Sequence, residues 1–250
     1  MKNKFALIGY NGFIGSNLIY YKKNIDKFNS KNINKISNNS YDIVICAGTS
    51  SKRWIANKYP KDDKKKILSL INNLKQIRTE KFILISTCEV FHNSKVLNEN
   101  TKIFKKNKDH YSKNRILLEN FCKKKFQNIH IIRLPIVYGT NFTKNFIFDL
   151  LNNKQIKKLN GKDIVQIYNV KNLIKDIKYV VKNNIKYLNI SSPPVKIKNI
   201  AKRFFNIKLS EKDPYRKMKM TSLNSPNKSK YFVSRIKTLN DLSVFIKQYK

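Results

Sequence analysis

Near the start of the chain Gly9, Gly12 and Gly15 are spaced as G-x-x-G-x-x-G, directly after an apolar run and at the opening of a helical pattern. A glycine at such a turn admits positive φ, a missing side chain lets backbone approach a pyrophosphate, and a helix N-terminus offers unpaired N–H groups. Asn11, Phe13 and Ile14 share the loop, so the chemistry indicated is binding of a dinucleotide's phosphates. The ribose end of that ligand would meet the turn Phe28-Asn29-Ser30-Lys31-Asn32. It holds no carboxylate for a 2′-hydroxyl, whereas Ser30 and Lys31 suit a 2′-phosphate, so NADP is expected ahead of NAD.

Other chemistries lack material. The three histidines, His92, His110 and His130, lie in separate segments, and Cys46, Cys88 and Cys122 sit at no metal-ligand or disulfide-framework spacing. Zinc chemistry and His-based nucleophilic catalysis are therefore largely excluded, and the cysteines read as reduced thiols. Lys and Arg total 53 against 15 Asp and Glu, a formal charge of +38. Such a balance suits polyanions, but the lysines are spread along the chain among Asn and Ile, with no basic run interleaved with stacking aromatics. Solvated faces account for them better than a nucleic-acid footprint, while the field still favours anionic ligands. No apolar run approaches the ~20 residues of a membrane helix, and no secretory leader is read, so a cytoplasmic location is expected. The sequence leaves a homodimer open.

The elements that must position the loop alternate. Apolar runs at 4–9, 41–47, 81–87 and 129–134 read as strands. Between them, 13–21, 62–77 and 115–126 carry apolar residues at helical spacing, as in Ile67, Leu70, Ile71 and Leu74. That is a parallel α/β pattern. Further on, a helix at 145–151, a strand at 164–167, a helix at 171–182 and a strand at 187–190 are expected. From 191 the pattern breaks at Pro193-Pro194, and an apolar helix ends at Tyr249. The expected division is a dinucleotide-binding domain over 1–139 plus about 164–190, with a smaller substrate-binding part over about 140–163 and 191–250.

Five further segments follow in order: Asp42-Ile43-Val44-Ile45-Cys46-Ala47-Gly48, Ile85-Ser86-Thr87-Cys88-Glu89-Val90-Phe91, Tyr111-Ser112-Lys113-Asn114-Arg115, Arg133-Leu134-Pro135-Ile136-Val137-Tyr138-Gly139, and Ile167-Tyr168-Asn169-Val170-Lys171-Asn172-Leu173. With the glycine loop they resemble the extended short-chain dehydrogenase/reductase superfamily, the NAD(P)-dependent epimerase/dehydratase group acting on nucleotide sugars. The resemblance implies a Rossmann-type, doubly wound parallel sheet with a small C-terminal substrate-binding cap. It also implies that Cys46, Ala47, Gly48, Leu134 and Pro135 lie along the cofactor.

By the same resemblance Thr87 bonds the reacting oxygen and Tyr111 is the acid/base. A phenol of pKa near 10 becomes a base near neutrality only beside a cation, which lowers it by ~1–3 units. The family places a lysine four residues after the tyrosine; here Arg115 stands there, and Lys113 falls on another helix face. Arg115 is therefore expected to contact both cofactor and Tyr111. Cys88 and Glu89 occupy the positions of the Asp-Glu pair of the family's dehydratases, so carbonyl reduction or epimerisation is expected ahead of dehydration. Substrate contacts are expected from Trp54, Cys88, Glu89, Asn145 and Arg216; Asn145 could equally be an N-cap and Trp54 a packing anchor. The implied function is an NAD(P)-dependent oxidoreductase, ketoreductase or epimerase, of a nucleotide-activated sugar. The alternatives are a dinucleotide-binding sensor or scaffold with impaired catalysis, and an RNA-binding member of the superfamily.

Overall fold

The computed structural model describes residues 4–21, 24–91, 97–103 and 109–249; His92 lies outside them. The chain divides into two compact units, one of 1–93, 102–133 and 173–188, the other of 94–101, 134–172 and 189–250.

The first unit is built on a six-stranded parallel sheet in the order β2-β1-β3-β4-β5-β9. These strands are Phe5–Ile8 (β1), Asp26–Phe28 (β2), Ser40–Cys46 (β3), Arg78–Thr87 (β4), Ile129–Leu134 (β5) and Tyr187–Asn189 (β9). Helices Phe13–Tyr21 (α1), Arg53–Lys58 (α2), Pro60–Leu74 (α3), His110–Lys125 (α4) and Leu173–Lys182 (α6) return the chain. The register runs Ile8 beside Phe28 on one side and beside Cys46 on the other, so three strands end level at the glycine loop. Both faces of such a sheet are covered, which is why its strands read as continuous apolar runs. The core joins Ala6, Val44, Phe82 and Ile131 from the sheet to Ile67, Leu70, Ile71 and Leu74 of α3 and Leu118 and Cys122 of α4. The apolar stripe read at helical spacing on α3 is thus the face it buries. Pro60 opens α3, and Asp109 caps α4 by accepting from the Ser112 N–H at 2.8 Å.

The second unit holds β6 (Ile136–Tyr138), α5 (Phe146–Leu151), β7 (Ile164–Val165), β8 (Ile167–Asn169), β10 (Val195–Lys196), α7 (Ile197–Phe205) and α8 (Arg235–Tyr249). Here the sequence division needs correction. Residues 134–139 and 164–172 belong to this unit, because β6 pairs in parallel with β8 and β7 pairs antiparallel with β10, outside the six-stranded sheet. The expected strand at 164–167 is two strands split at Gln166, whose buried amide binds Ser192 O, Met220 O and the Met220 N–H. Tyr138, Phe142, Phe245 and Tyr249 form an aromatic cluster that seats α8. Its ring pairs explain why the C-terminal helix packs although its outer positions, such as Ile236, are exposed.

Candidate active site

The glycine loop bridges β1 and α1, tied to β2 by the Gly9 N–H donating to Phe28 O at 2.7 Å. Its three glycines are not equivalent. Gly9 has φ +85°, and a Cβ there would stand 2.5 Å from Ala47 O; a Cβ on Gly15 would stand 2.1 Å from Gly9 O. Those two are demanded by the fold. A Cβ on Gly12 would meet only Gly9 O, at 3.3 Å, and the residue is exposed. It is thus the one of the three that stands exposed at the N-terminal end of α1, where a pyrophosphate cradle would lie. Asn11 is exposed and Phe13 and Ile14 are half-buried in the first turn. Cys46, Ala47 and Gly48 leave β3 against this loop, and burial pushes the Cys46 thiol up to about 11.

After β2 the chain turns on an asparagine pair. The Asn29 N–H donates to Asn32 Oδ1 at 2.7 Å, and the Lys31 N–H to Asn29 Oδ1 at 2.9 Å. Such turns are held by Asx side chains, and this one leaves Ser30 and Lys31 exposed with no carboxylate between Phe28 and Ile33.

Thr87 ends β4, and its Oγ1 accepts from the Glu89 N–H at 3.2 Å in the turn Cys88–Val90. α4 packs against β4 and this turn, bringing Tyr111 into the field of Glu89 and Cys88. Tyr111 is buried in the first turn of α4, one turn earlier than the helix expected at 115–126, and its N–H donates to Asn57 Oδ1 at 3.0 Å. Arg115 follows one turn later on the same face. Its guanidinium carbon lies 4.3 Å from the Tyr111 ring centroid, while Lys113 is exposed on another face.

Arg115, expected to contact Tyr111 and the cofactor, is also held by an acid. Its NH1 and NH2 donate to Asp63 at 3.1 and 3.2 Å, and NH2 also donates to Ser50 O at 2.7 Å. The charge beneath Tyr111 is thus paired with a buried carboxylate. Burial raises the Tyr111 phenol, and Arg115, acting in the other direction, does not overcome it. Arg115 Nε is buried without a hydrogen-bond partner among the described residues, one donor left over for a ligand.

Four further residues escaped the sequence reading. Arg53, at the start of α2, pairs with Glu89 at 2.8 Å and with Asp109 at 2.6 Å. Asn57 adds a bond to Asp109 at 3.1 Å. Burial alone would raise the Asp109 carboxyl, but bonds from Ser112, Arg53 and Asn57 bring it down to about 2. Asp63 looked like an ordinary first-turn acid of α3; only its burial beside Arg115 marks it out. Cys88 is buried, whereas Trp54 is 65% exposed beside Arg53 and is no packing anchor.

In the second unit Asn145 caps α5: Oδ1 accepts from the Ile147 and Phe148 N–H groups at 2.9 and 3.3 Å, and Nδ2 donates to Val137 O at 2.8 Å. The capping role is the one its side chain performs, with φ at +103°. Arg216 is half-buried, its N–H donating to Asp163 at 2.8 Å. Leu134 closes β5 and Pro135 precedes β6, both buried.

The fold is a Rossmann-type α/β fold shared with solved nucleotide-sugar reductases and epimerases. Solved structures with it include dTDP-4-dehydrorhamnose reductase from Yersinia enterocolitica, 14% identical over the whole of both chains with a TM-score of 0.74. The corresponding reductase from Bacillus anthracis, solved in complex with NADP, is 17% identical over both whole chains at 0.70. UDP-glucose 4-epimerase from Thermotoga maritima, solved with UDP-glucose, is 15% identical over 98% of both chains at 0.74. No family model and no curated protein matches the sequence.

Proposed function

We propose that this chain is an NAD(P)-dependent oxidoreductase of the extended short-chain dehydrogenase/reductase superfamily that reduces a carbonyl of a nucleotide-activated sugar. The observation that carries the reading is Tyr111 stacked on Arg115 in the unit that also holds the positive-φ glycine loop. The solved structures of the same fold are nucleotide-sugar reductases and epimerases, one with NADP, which supports the class of cofactor and substrate.

In this reading the missing side chain at exposed Gly12 lets the pyrophosphate approach the N-terminal turn of α1, which binds it. Ser30 and Lys31 meet the 2′-phosphate, which favours NADP. Ala47 and Gly48 flank the loop, and the spare Arg115 N–H suits a ribose hydroxyl. The bound nicotinamide supplies hydride. Tyr111 gives its proton to the carbonyl oxygen, which Thr87 also bonds.

A buried, raised phenol favours reduction over epimerisation. Donating a proton needs the phenol, which is present at neutral pH; oxidising an alcohol first needs the phenolate, which is scarce there. Dehydration fits less well, because Cys88 is a thiol and the Glu89 carboxylate is engaged by Arg53. Exposed Trp54 is the first-unit candidate for holding sugar or base, with Asn145 and Arg216 as candidates on the second unit.

A dinucleotide-binding role without turnover is the second reading, favoured by the commitment of the Arg115 charge to Asp63. Single-turnover absorbance at the reduced-nicotinamide band, with NADPH and a nucleotide 4-keto sugar, separates the two. Loss of that band with formation of the alcohol supports reduction; binding of NADPH with no loss supports the second reading.

A further inference from the structure

Asp63 has no part in the chemistry above. An acid in the first turn of a helix is ordinarily a solvated partner of the dipole, yet Asp63 is buried, at 7% exposure. Its Oδ2 accepts from Asn114 Nδ2 at 2.7 Å and from Arg115 NH1 at 3.1 Å, and its Oδ1 accepts from Arg115 NH2 at 3.2 Å. Ser50 O takes the remaining NH2 bond at 2.7 Å. The guanidinium is therefore gripped from α3 and from the segment after β3 while lying under the ring of Tyr111 on α4. An arginine buried without such a partner would carry a large desolvation cost, and the planar fork lets one carboxylate take two bonds.

We propose that Asp63 is a positioning residue of the Tyr111 site: it holds both arms of Arg115, fixes the guanidinium under the ring and offsets part of its charge, which favours Tyr111 as a proton-carrying phenol. This rests on the reading of Tyr111 as proton donor. Asp63 then biases the site toward giving a proton and against taking one. The charges that act on Tyr111 are Arg115 and, opposing it, Glu89 and Cys88. Glu89 is paired with Arg53, which also holds Asp109, and Asp63 is the acid paired with Arg115.

The test reads Tyr111 on the whole chain with neither cofactor nor substrate. The tyrosine Cζ carbons are labelled with carbon-13, their NMR shifts are followed against pH, and Tyr111→Phe assigns the resonance. Asp63→Asn keeps the side-chain shape but leaves the guanidinium charge uncancelled, so Tyr111 should titrate ~1–3 pH units lower, at least tenfold more phenolate at a given pH. The double variant Asp63→Asn with Arg115→Gln removes both charges and should titrate at or above wild type, because Arg115 lowers the phenol in the intact site. A folded Asp63→Asn in which Tyr111 titrates unchanged overturns the proposal. So does a double variant titrating below wild type, since the drop would then not come through the Arg115 charge; this variant decides where the single one does not fold. Failure of the proton-donor reading would show separately, as turnover surviving Tyr111→Phe while the titration still shifts in Asp63→Asn.

Discussion

Arg115→Lys restores the residue that the resembled family carries, and the geometry predicts that it damages the site. The guanidinium makes two bonds to Asp63, at 3.1 and 3.2 Å, and one to Ser50 O at 2.7 Å. An ammonium is a point donor and cannot span both carboxylate oxygens and the carbonyl as the fork does. At least one acceptor in a buried setting is left unpaired, which costs about 1–3 kcal/mol. Keeping the positive charge avoids the ~3–5 kcal/mol of a fully broken buried pair. The expected destabilisation is therefore about 2–3 kcal/mol, read as a lower urea midpoint by far-UV circular dichroism with unchanged slope. Turnover should fall with it, because the cation is no longer held 4.3 Å from the Tyr111 ring centroid. A variant within ~0.5 kcal/mol of wild type, the range of neutral surface changes, and more active than wild type would refute the reasoning and mark Arg115 as a lesion.

The glycines should separate by role: Gly9→Ala, with φ +85° and a Cβ 2.5 Å from Ala47 O, should prevent stable folding, whereas Gly12→Val should fold and lose dinucleotide binding. Equal folding of both, or wild-type NADPH affinity in Gly12→Val by fluorescence titration, would contradict this. Lys31→Ala should weaken NADPH binding about tenfold or more while leaving NADH binding nearly unchanged, a contrast that paired calorimetric titrations measure; tenfold corresponds to ~1.4 kcal/mol. The Asp109 carboxyl is lowered from 3.8 to about 2 in the folded chain. Its contribution is therefore present above about pH 4 and lost as pH falls toward 2. Asp109→Asn should thus be less stable than wild type at neutral pH, and unfolding curves should show the gap closing over that window.

The first unit was legible because its information is local. Strands buried on both faces are continuous apolar runs, the stripe Ile67, Leu70, Ile71 and Leu74 has helical period, and the glycines sit within seven residues of one another. The polar partners of the site are not local: Asp63 lies 52 positions from Arg115, and Arg53 lies 56 positions from Asp109. Nothing at the level of residue type distinguishes a buried acid in a first helical turn from a solvated one. The same holds for strands of two or three residues. β6 and β8 are too short to show a period, so their pairing with one another, rather than with the main sheet, appears only in three dimensions. Helix α7 was missed because Pro193-Pro194 suggested a break and its buried face is limited to Ile197, Ile200 and Ala201 among lysines.

The central claim is that Tyr111 gives the proton in an NADPH-dependent carbonyl reduction. It is tested most directly by single-turnover loss of the reduced-nicotinamide band with a nucleotide 4-keto sugar, wild type against Tyr111→Phe. The expected result is turnover by wild type, unchanged NADPH affinity in the variant, and a rate lower by ~100-fold or more, the scale of lost general acid catalysis. Equal rates in the two proteins, or NADPH binding by wild type with no loss of the band, would contradict it.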